Sequence, residues 1–433
     1  MKRILTVLAA ALMMAACSTD RDHVLKVYNW SDYIDESLIG EFEQWYEEQT
    51  GEPIKIVYQV FDINETMLSK IEKGHEDYDV VCPSDYIIER MLRSDLLIPI
   101  DTTFGKTPNY IKGSISPYIT GCMKSLITGD KDASEYAVGY MWGTTGFLYN
   151  TKYVDPEDVR TWDVLRNGKY ADKIFVKDAA RDIYSQIVLY VRKDDIASGK
   201  VTPEELVAVP SQENVDLVEK YLLQIRPQVA GYEADFGKDQ MTQERGWISL
   251  NWSGDASWAI DEAAKVGVDL DYVVPDEGAT VWFDGWVIPK YARNVKAASY
   301  FINFMCKPEN AIRNAEEIGY VSACGAPELL EYFSDDSCEP ENLTYFFGEG
   351  ADSVRINPVM YPDQAVIDRC VLEHDWGEDS HMLIEMWSRV KGSNANVLTY
   401  IIIAAIVIAL VAAVILSRRK KTHRHGRHNK KRR

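Results

Sequence analysis

Apolar positions in the first hundred residues switch repeatedly between two periods. VLKVYNW (24–30) reads as a strand, and ESLIGEFEQWYEEQTG (36–51) as an amphipathic helix stopped at Gly51. PIKIVYQVF (53–61) is a strand, followed by a helix in NETMLSKIEKG (64–74) with Asn64 as its expected N-cap. YDVVCPS (78–84) and DYIIERMLRSD (85–95) repeat the strand–helix step. The middle of the chain, about 139 to 281, alternates more loosely: a strand in KIFVKDAA, helices in RDIYSQIVLYVRKD and VDLVEKYLLQIRPQ, and a strand turning into a helix in GWISLNWSGDA. DYVVPDEGATVWFDGWVIP returns extended, and NVKAASYFINFMCKP is helical up to Pro308. Strands alternating with helices predict an α/β fold with a mostly parallel sheet covered on both faces. In such sheets ligands gather outside the carboxyl ends of the strands.

The two ends follow other rules. Lys2 and Arg3, the run ILTVLAAALMMAA and small residues read as a signal peptide over 1–16. Cys17 after Ala15 and Ala16 resembles a bacterial lipobox, with Met14 where an aliphatic such as Leu is usual, and is expected to carry lipid. VLTYIIIAAIVIALVAAVIL (397–416) has no charge and is long enough to cross a ~30 Å hydrocarbon layer. The tail at 418–433 is basic, which predicts a cytoplasmic end. The chain is thus expected in the inner membrane, with its body outside the cytoplasm. GSNAN (392–396) reads as a linker. His423, His425 and His428 lie among these basic residues and suit an anionic leaflet better than a metal, so no metal site is expected.

Setting aside the two leader cations and the ten of the tail turns the chain's −20 into −32 for the body. Such a field repels nucleic acid and gathers cations. About 375 residues between the ends suffice for two lobes at ~150 residues per domain. Apart from Cys17, six cysteines permit fifteen complete pairings, of which a Cys324–Cys338 loop is one local option. No CxxC pair occurs.

Four strand-to-loop junctions share one chemistry. YNWSDYI carries Trp30, Ser31, Asp32 and Tyr33, and CPSDYII carries Ser84 and Tyr86. LNWSGDASW carries Trp252 and Asp255, and TVWFDGW carries Trp282 and Asp284. An aromatic face beside a carboxylate suits an alkylammonium: the ring contributes a cation–π attraction of up to ~2 kcal/mol when desolvated, and the carboxylate accepts a charge-assisted hydrogen bond. The plainer account makes each aromatic core and each Asp a cap of the next helix. Four such junctions on one acidic body favour a site.

These junctions, with the run through NETM, YMWGTTGFLYN, VPDEGATVWFDGWVIP and EEIGY in that order, resemble the polyamine (spermidine/putrescine)-binding proteins of bacterial ABC importers over residues 25 to 391. The resemblance implies a two-lobed type II periplasmic-binding-protein fold with a hinge: 24–138 and 283–325 in one lobe, 139–282 and 326–391 in the other. It implies cleft aromatics at Trp30, Tyr33, Tyr86, Trp252, Trp282 and Tyr320, and polar contacts at Ser31, Asp32 and Ser84. Asp284 is implied as the principal amine carboxylate, with Asp255 shared with the putrescine-type pattern. Asp182 stands where Glu is common, and Glu373 near a position where spermidine-type members have Gln.

The implied protein is no enzyme and needs no cofactor. It captures putrescine or spermidine and hands it to a permease, with Asp32, Asp255 and Asp284 neutralising ammonium groups and Asp182 assisting. Two alternatives stand beside it. One is a polyamine sensor for a membrane partner. The other is a glycosidase using two carboxylates, against which stands the absence of GxSxG, HExxH, P-loop and GxGxxG motifs.

Overall fold

The computed structural model describes residues 21–233 and 237–392. The strands are β1 (Val24–Trp30), β2 (Lys55–Phe61), β3 (Val80–Val81), β4 (Leu97–Ile98), β5 (Ala137–Asn150), β6 (Ile174–Lys177) and β7 (Val229–Glu233). They continue with β8 (Ile248–Trp252), β9 (Leu270–Val273), β10 (Ala279–Pro289), β11 (Val321–Ser322), β12 (Pro340–Glu341), β13 (Val354–Arg355) and β14 (Cys370–Leu372). One sheet runs β2-β1-β3-β10-β5-β8-β6-β7, with β4 and β14 pairing β10 and β9 and β11 pairing β5. The pair β12–β13 stands apart.

Two parallel groups occupy the ends of this sheet. In one, β1 pairs in parallel with β2 and β3; in the other, β6 pairs in parallel with β7 and β8. The long strands β5 and β10 join them, antiparallel to each other. This is a mixed α/β sheet, less parallel than the alternation predicts, because these two connecting strands run against their neighbours. Pleating separates two cores on the first group: Val27 and Val80 pack on one face with Phe42 and Phe301, Tyr28 and Val81 on the other with Met67 and Ile87.

The local expectations are met with small shifts. The helix Ser37–Thr50 ends at Gly51, whose φ of 72° closes it with a hydrogen bond from its N–H to Glu47 O. The helix Asn64–Glu72 begins as expected, but Asn64 is not its cap; Ile63 is, without a side-chain bond, and the Asn64 amide turns elsewhere. YDVVCPS contributes only Val80–Val81 as strand.

The six described cysteines form no disulfide, so no Cys324–Cys338 staple exists. The described residues up to Leu383 form one compact unit, and 384–392 complete the helix His381–Gly392. Gly392 of the expected linker closes that helix. The remainder of the linker, the signal peptide, Cys17, the apolar run 397–416 and the basic tail lie outside the described residues. Among the described residues no helix is long and apolar enough to cross a membrane.

Candidate functional site

Several of the expected residues sit at the carboxyl ends of parallel strands, the edge where such sheets bind ligands. Trp30 ends β1, Ser84 follows β3, Trp252 ends β8, and Glu373 follows β14. Asp284 lies on β10 at a register shift, where Asp284 faces Met141 and Gly285 faces Gly139. A bulge of this kind re-aims a side chain.

Asp284 is the centre of one half of the site. It is 7% exposed. Ser84 Oγ donates to its Oδ1 at 2.7 Å and the Tyr33 hydroxyl to its Oδ2 at 2.8 Å. Among the described residues no lysine or arginine pairs with it. Burial pushes its carboxyl up to about 6 against the pull of the two hydroxyl bonds. Tyr33 is held by its own loop: its carbonyl accepts from Asn29 Nδ2 at 2.9 Å and from the Tyr140 hydroxyl at 2.9 Å. That fixes the turn after β1, where Asp32 takes a left-handed φ of 51°. Ser31 and Asp32 are exposed on this turn, and Ser31 Oγ donates to Asp62 Oδ1 at 2.8 Å.

Aromatic walls surround the carboxylate. The Tyr320 ring meets Tyr33 edge-on at 5.5 Å and lies 5.8 Å from Trp282. Two glycines make room. A Cβ on Gly143, which opposes Trp282 across β5 and β10, would come within 2.7 Å of the indole; one on Gly254 would fall 2.4–2.6 Å from Tyr320 ring carbons. Trp30 packs against Phe61 at 4.5 Å. The indole N–H groups of Trp30 and Trp282 are buried without a protein acceptor. Such orphaned donors are uncommon and call for a partner.

The other half is built differently. Trp252 Nε1 donates to Asp182 Oδ1 at 2.9 Å. Glu373 is buried, its Oε1 has no hydrogen-bond partner, and burial followed by the neighbouring Asp182 charge holds its carboxyl well above the usual range. Asp182 is also raised, chiefly by burial. Asp255 behaves oppositely. Lys177 Nζ lies 3.1 Å and Lys238 Nζ 3.4 Å from it. Although burial alone would raise its carboxyl, these lysines and the Tyr320 hydroxyl bond lower it.

Tyr86, flanking Ser84, accepts from Asn64 Nδ2 at 3.1 Å, donates to Glu65 Oε1 at 3.2 Å, and carries the Arg181 guanidinium over its ring at 4.4 Å.

Tyr33, Ser84, Trp282, Asp284 and Tyr320 therefore converge directly. Trp252, Asp182 and Glu373 form a second cluster, and Tyr320 links the first to Asp255. The side chain of Asp255 binds lysines and does not cap its helix, which begins after Trp252 without a side-chain cap. Lys177, Asn64, Asp85 and Arg181 were not anticipated. Asp85, which accepts from the Phe283 and Tyr86 N–H groups, ties β10 to the start of the helix Asp85–Arg93. A lysine closing the apolar strand KIFVK was the available signal for Lys177. A separate groove of about 320 Å³ is lined by Arg166, Lys193 and Lys220 against one carboxylate, Asp194, a net cationic lining poorly suited to an ammonium guest.

The chain resembles known proteins over most of its length. The chain is 28% identical over 368 residues to the spermidine/putrescine-binding periplasmic protein of Escherichia coli K12, covering 84% of this chain and 96% of that protein. It is 29% identical over 329 residues to the putrescine-binding periplasmic protein PotF of the same organism, covering 73% and 82%. A solved structure of the spermidine/putrescine ABC transporter substrate-binding protein PotD from Streptococcus pneumoniae superposes with a TM-score of 0.62 at 28% identity, over 85% of this chain and all of that one. These relatives are binding proteins, not enzymes.

They also correct the expected location. An inner-membrane protein with a cytoplasmic tail is contradicted by relatives named as periplasmic. The two-lobed α/β reading fits these relatives, whereas a transmembrane helix gains no support. Residues 42–326 match the family model for bacterial extracellular solute-binding proteins. The chain belongs to that family.

Proposed function

We propose that this protein captures a protonated aliphatic polyamine of the putrescine or spermidine class outside the cytoplasm and delivers it to an ABC permease. The observation that carries the reading is Asp284: a buried carboxylate with two hydroxyl donors, no cationic partner among the described residues, and aromatic rings on its flanks. An ammonium group is the guest that such a carboxylate lacks. Trp282, Tyr320 and Trp30 would cover the methylenes. The names of the relatives in E. coli and S. pneumoniae point to the same guests and to an ABC partner.

In this reading residues 24–138 with 283–325 and 139–282 with 326–391 act as lobes that close on the guest. Closure is what the permease would sense. Ser84 and Tyr33 orient Asp284, and Asn64 fixes Ser84 and Tyr86 through its amide, at 3.0 and 3.1 Å. Asp182 and Glu373 would receive the second ammonium. Isothermal calorimetry of the chain with putrescine and spermidine tests the proposal. A heat of binding at micromolar amine supports it; none for either amine ends it.

A further inference from the structure

The acidic residues of the site are not equivalent, and the difference lies in one lysine. Lys177 ends β6 and is 1% exposed. Its ammonium lies 4.2 Å from the centroid of the Trp252 ring, 3.1 Å from Asp255 and 3.7 Å from Glu233. A carboxylate, an indole face and a buried cation are the elements expected of a bound alkylammonium. Here the protein supplies the cation itself. Lys238 adds a second positive charge on the far oxygen of Asp255 and lies over Trp258 at 4.9 Å.

Glu233 stays tied to this group: it is buried, and its Oε2 accepts from Gly237 N–H at 2.8 Å. Among the described residues, two carboxylates thus face two ammonium groups, so Asp255 has cationic partners without a guest. Among the described residues the other acidic positions form no ion pair, although the Arg181 charge is felt by Asp182 and Glu373. Asp284 holds hydroxyls only, and Glu373 keeps a buried oxygen with no partner beside Asp182.

Resting on the amine reading above, we propose that Lys177 is a tethered ammonium that fills the Asp255 station from within. Two stations then remain for a guest, Asp284 and the Asp182–Glu373 pair, which sets the site to diamines over triamines. Lys177 is a specificity-determining residue in this scheme. Removing its charge returns Asp255 to the guest.

Calorimetry with putrescine and spermidine on four forms tests this: wild type, Lys177→Met, the double variant Lys177→Met/Asp255→Asn, and Asp255→Asn. Lys177→Met is expected to raise the spermidine-to-putrescine affinity ratio by about tenfold, and the double variant to keep putrescine affinity within about threefold of wild type. An unchanged ratio, or a double variant that loses putrescine by about thirtyfold or more, overturns the role of Lys177.

Buried Glu233 left without its lysine could unfold the Met variants. Thermal melting reports that, and Asp255→Asn, which leaves Lys177 beside Glu233, then decides alone: retained putrescine affinity supports the proposal and its loss refutes it. Wild type binding neither amine would refute the amine reading itself, and this inference with it. Wild type binding putrescine while Asp255→Asn does not would sink only the lysine.

Discussion

Asp284→Asn should separate binding from stability in opposite directions. The substitution keeps the shape and one acceptor oxygen while removing the charge, and the Ser84 and Tyr33 hydroxyls can turn to suit an amide. In the unliganded protein the carboxylate is a burden. Its carboxyl is pushed from 3.8 to about 6. Between those values the folded protein holds a proton that the unfolded chain releases, so stability falls as pH rises through the window. Above it the full penalty applies, roughly two pKa units at 1.36 kcal/mol each, or about 3 kcal/mol. The variant escapes this penalty and should be up to about 3 kcal/mol more stable than wild type at pH 7.5, with the gap shrinking towards pH 4.

Binding should move the other way. Truncating one partner of a buried charge pair costs about 2–5 kcal/mol, or between ~30-fold and several thousandfold in Kd for putrescine. Urea denaturation across pH 4 to 7.5, paired with calorimetry, measures both. A variant that binds putrescine within about threefold of wild type refutes the assigned role of Asp284. A variant less stable than wild type, by a margin growing with pH, refutes the electrostatic reasoning.

Other consequences can be checked with the same tools. Putrescine affinity should fall as pH drops below about 6, by about tenfold per unit from Asp284 alone, because the proton competes with the ammonium; a flat profile from pH 7.5 to 5 counts against it. Glu373→Gln removes the acid that burial and Asp182 hold protonated, so calorimetry in buffers of differing ionisation heat should show fewer protons released on binding, while an unchanged count places the exchange elsewhere. Gly254→Ala puts a methyl into the Tyr320 ring and should weaken putrescine by about tenfold or more with the fold retained by circular dichroism; wild-type affinity would show that the Tyr320 position is dispensable.

Much of the fold was legible because burial imposes period on a chain. The strand VLKVYNW and the helix ended by Gly51 appear as read, since alternation and a left-handed stop are local signals. What escaped is non-local. The antiparallel crossing of β5 and β10 depends on pairing partners far away in sequence, and YDVVCPS shrinks to two residues of strand because only Val80 and Val81 pair continuously, Ser84 meeting Asp284 in an isolated bridge. Asn64 resembles a cap in sequence because a short amide serves helix ends and hydrogen-bonded sites alike; only its distances to Ser84 and Tyr86 decide.

The candidate site shows the same limit. Aromatic–acid junctions pick out Trp282 and Asp284 without coordinates, yet nothing in WSGDA tells that Asp255 is already matched by lysines from two other segments. Ser31 and Asp32 share a motif with Tyr33, but the turn sends only Tyr33 towards Asp284 and leaves the other two exposed.

The two long strands carry one more implication. Each parallel group, β1–β3 and β6–β8, is continuous in the chain, but the two are stitched into one sheet only through β5 and β10, and β10 lies more than a hundred residues after β5. A chain emerging residue by residue cannot join the first group to β5 until β10 is out, and the last cluster waits for Glu373. Completion of the whole sheet is thus postponed by topology, while pairing within each group is local in sequence.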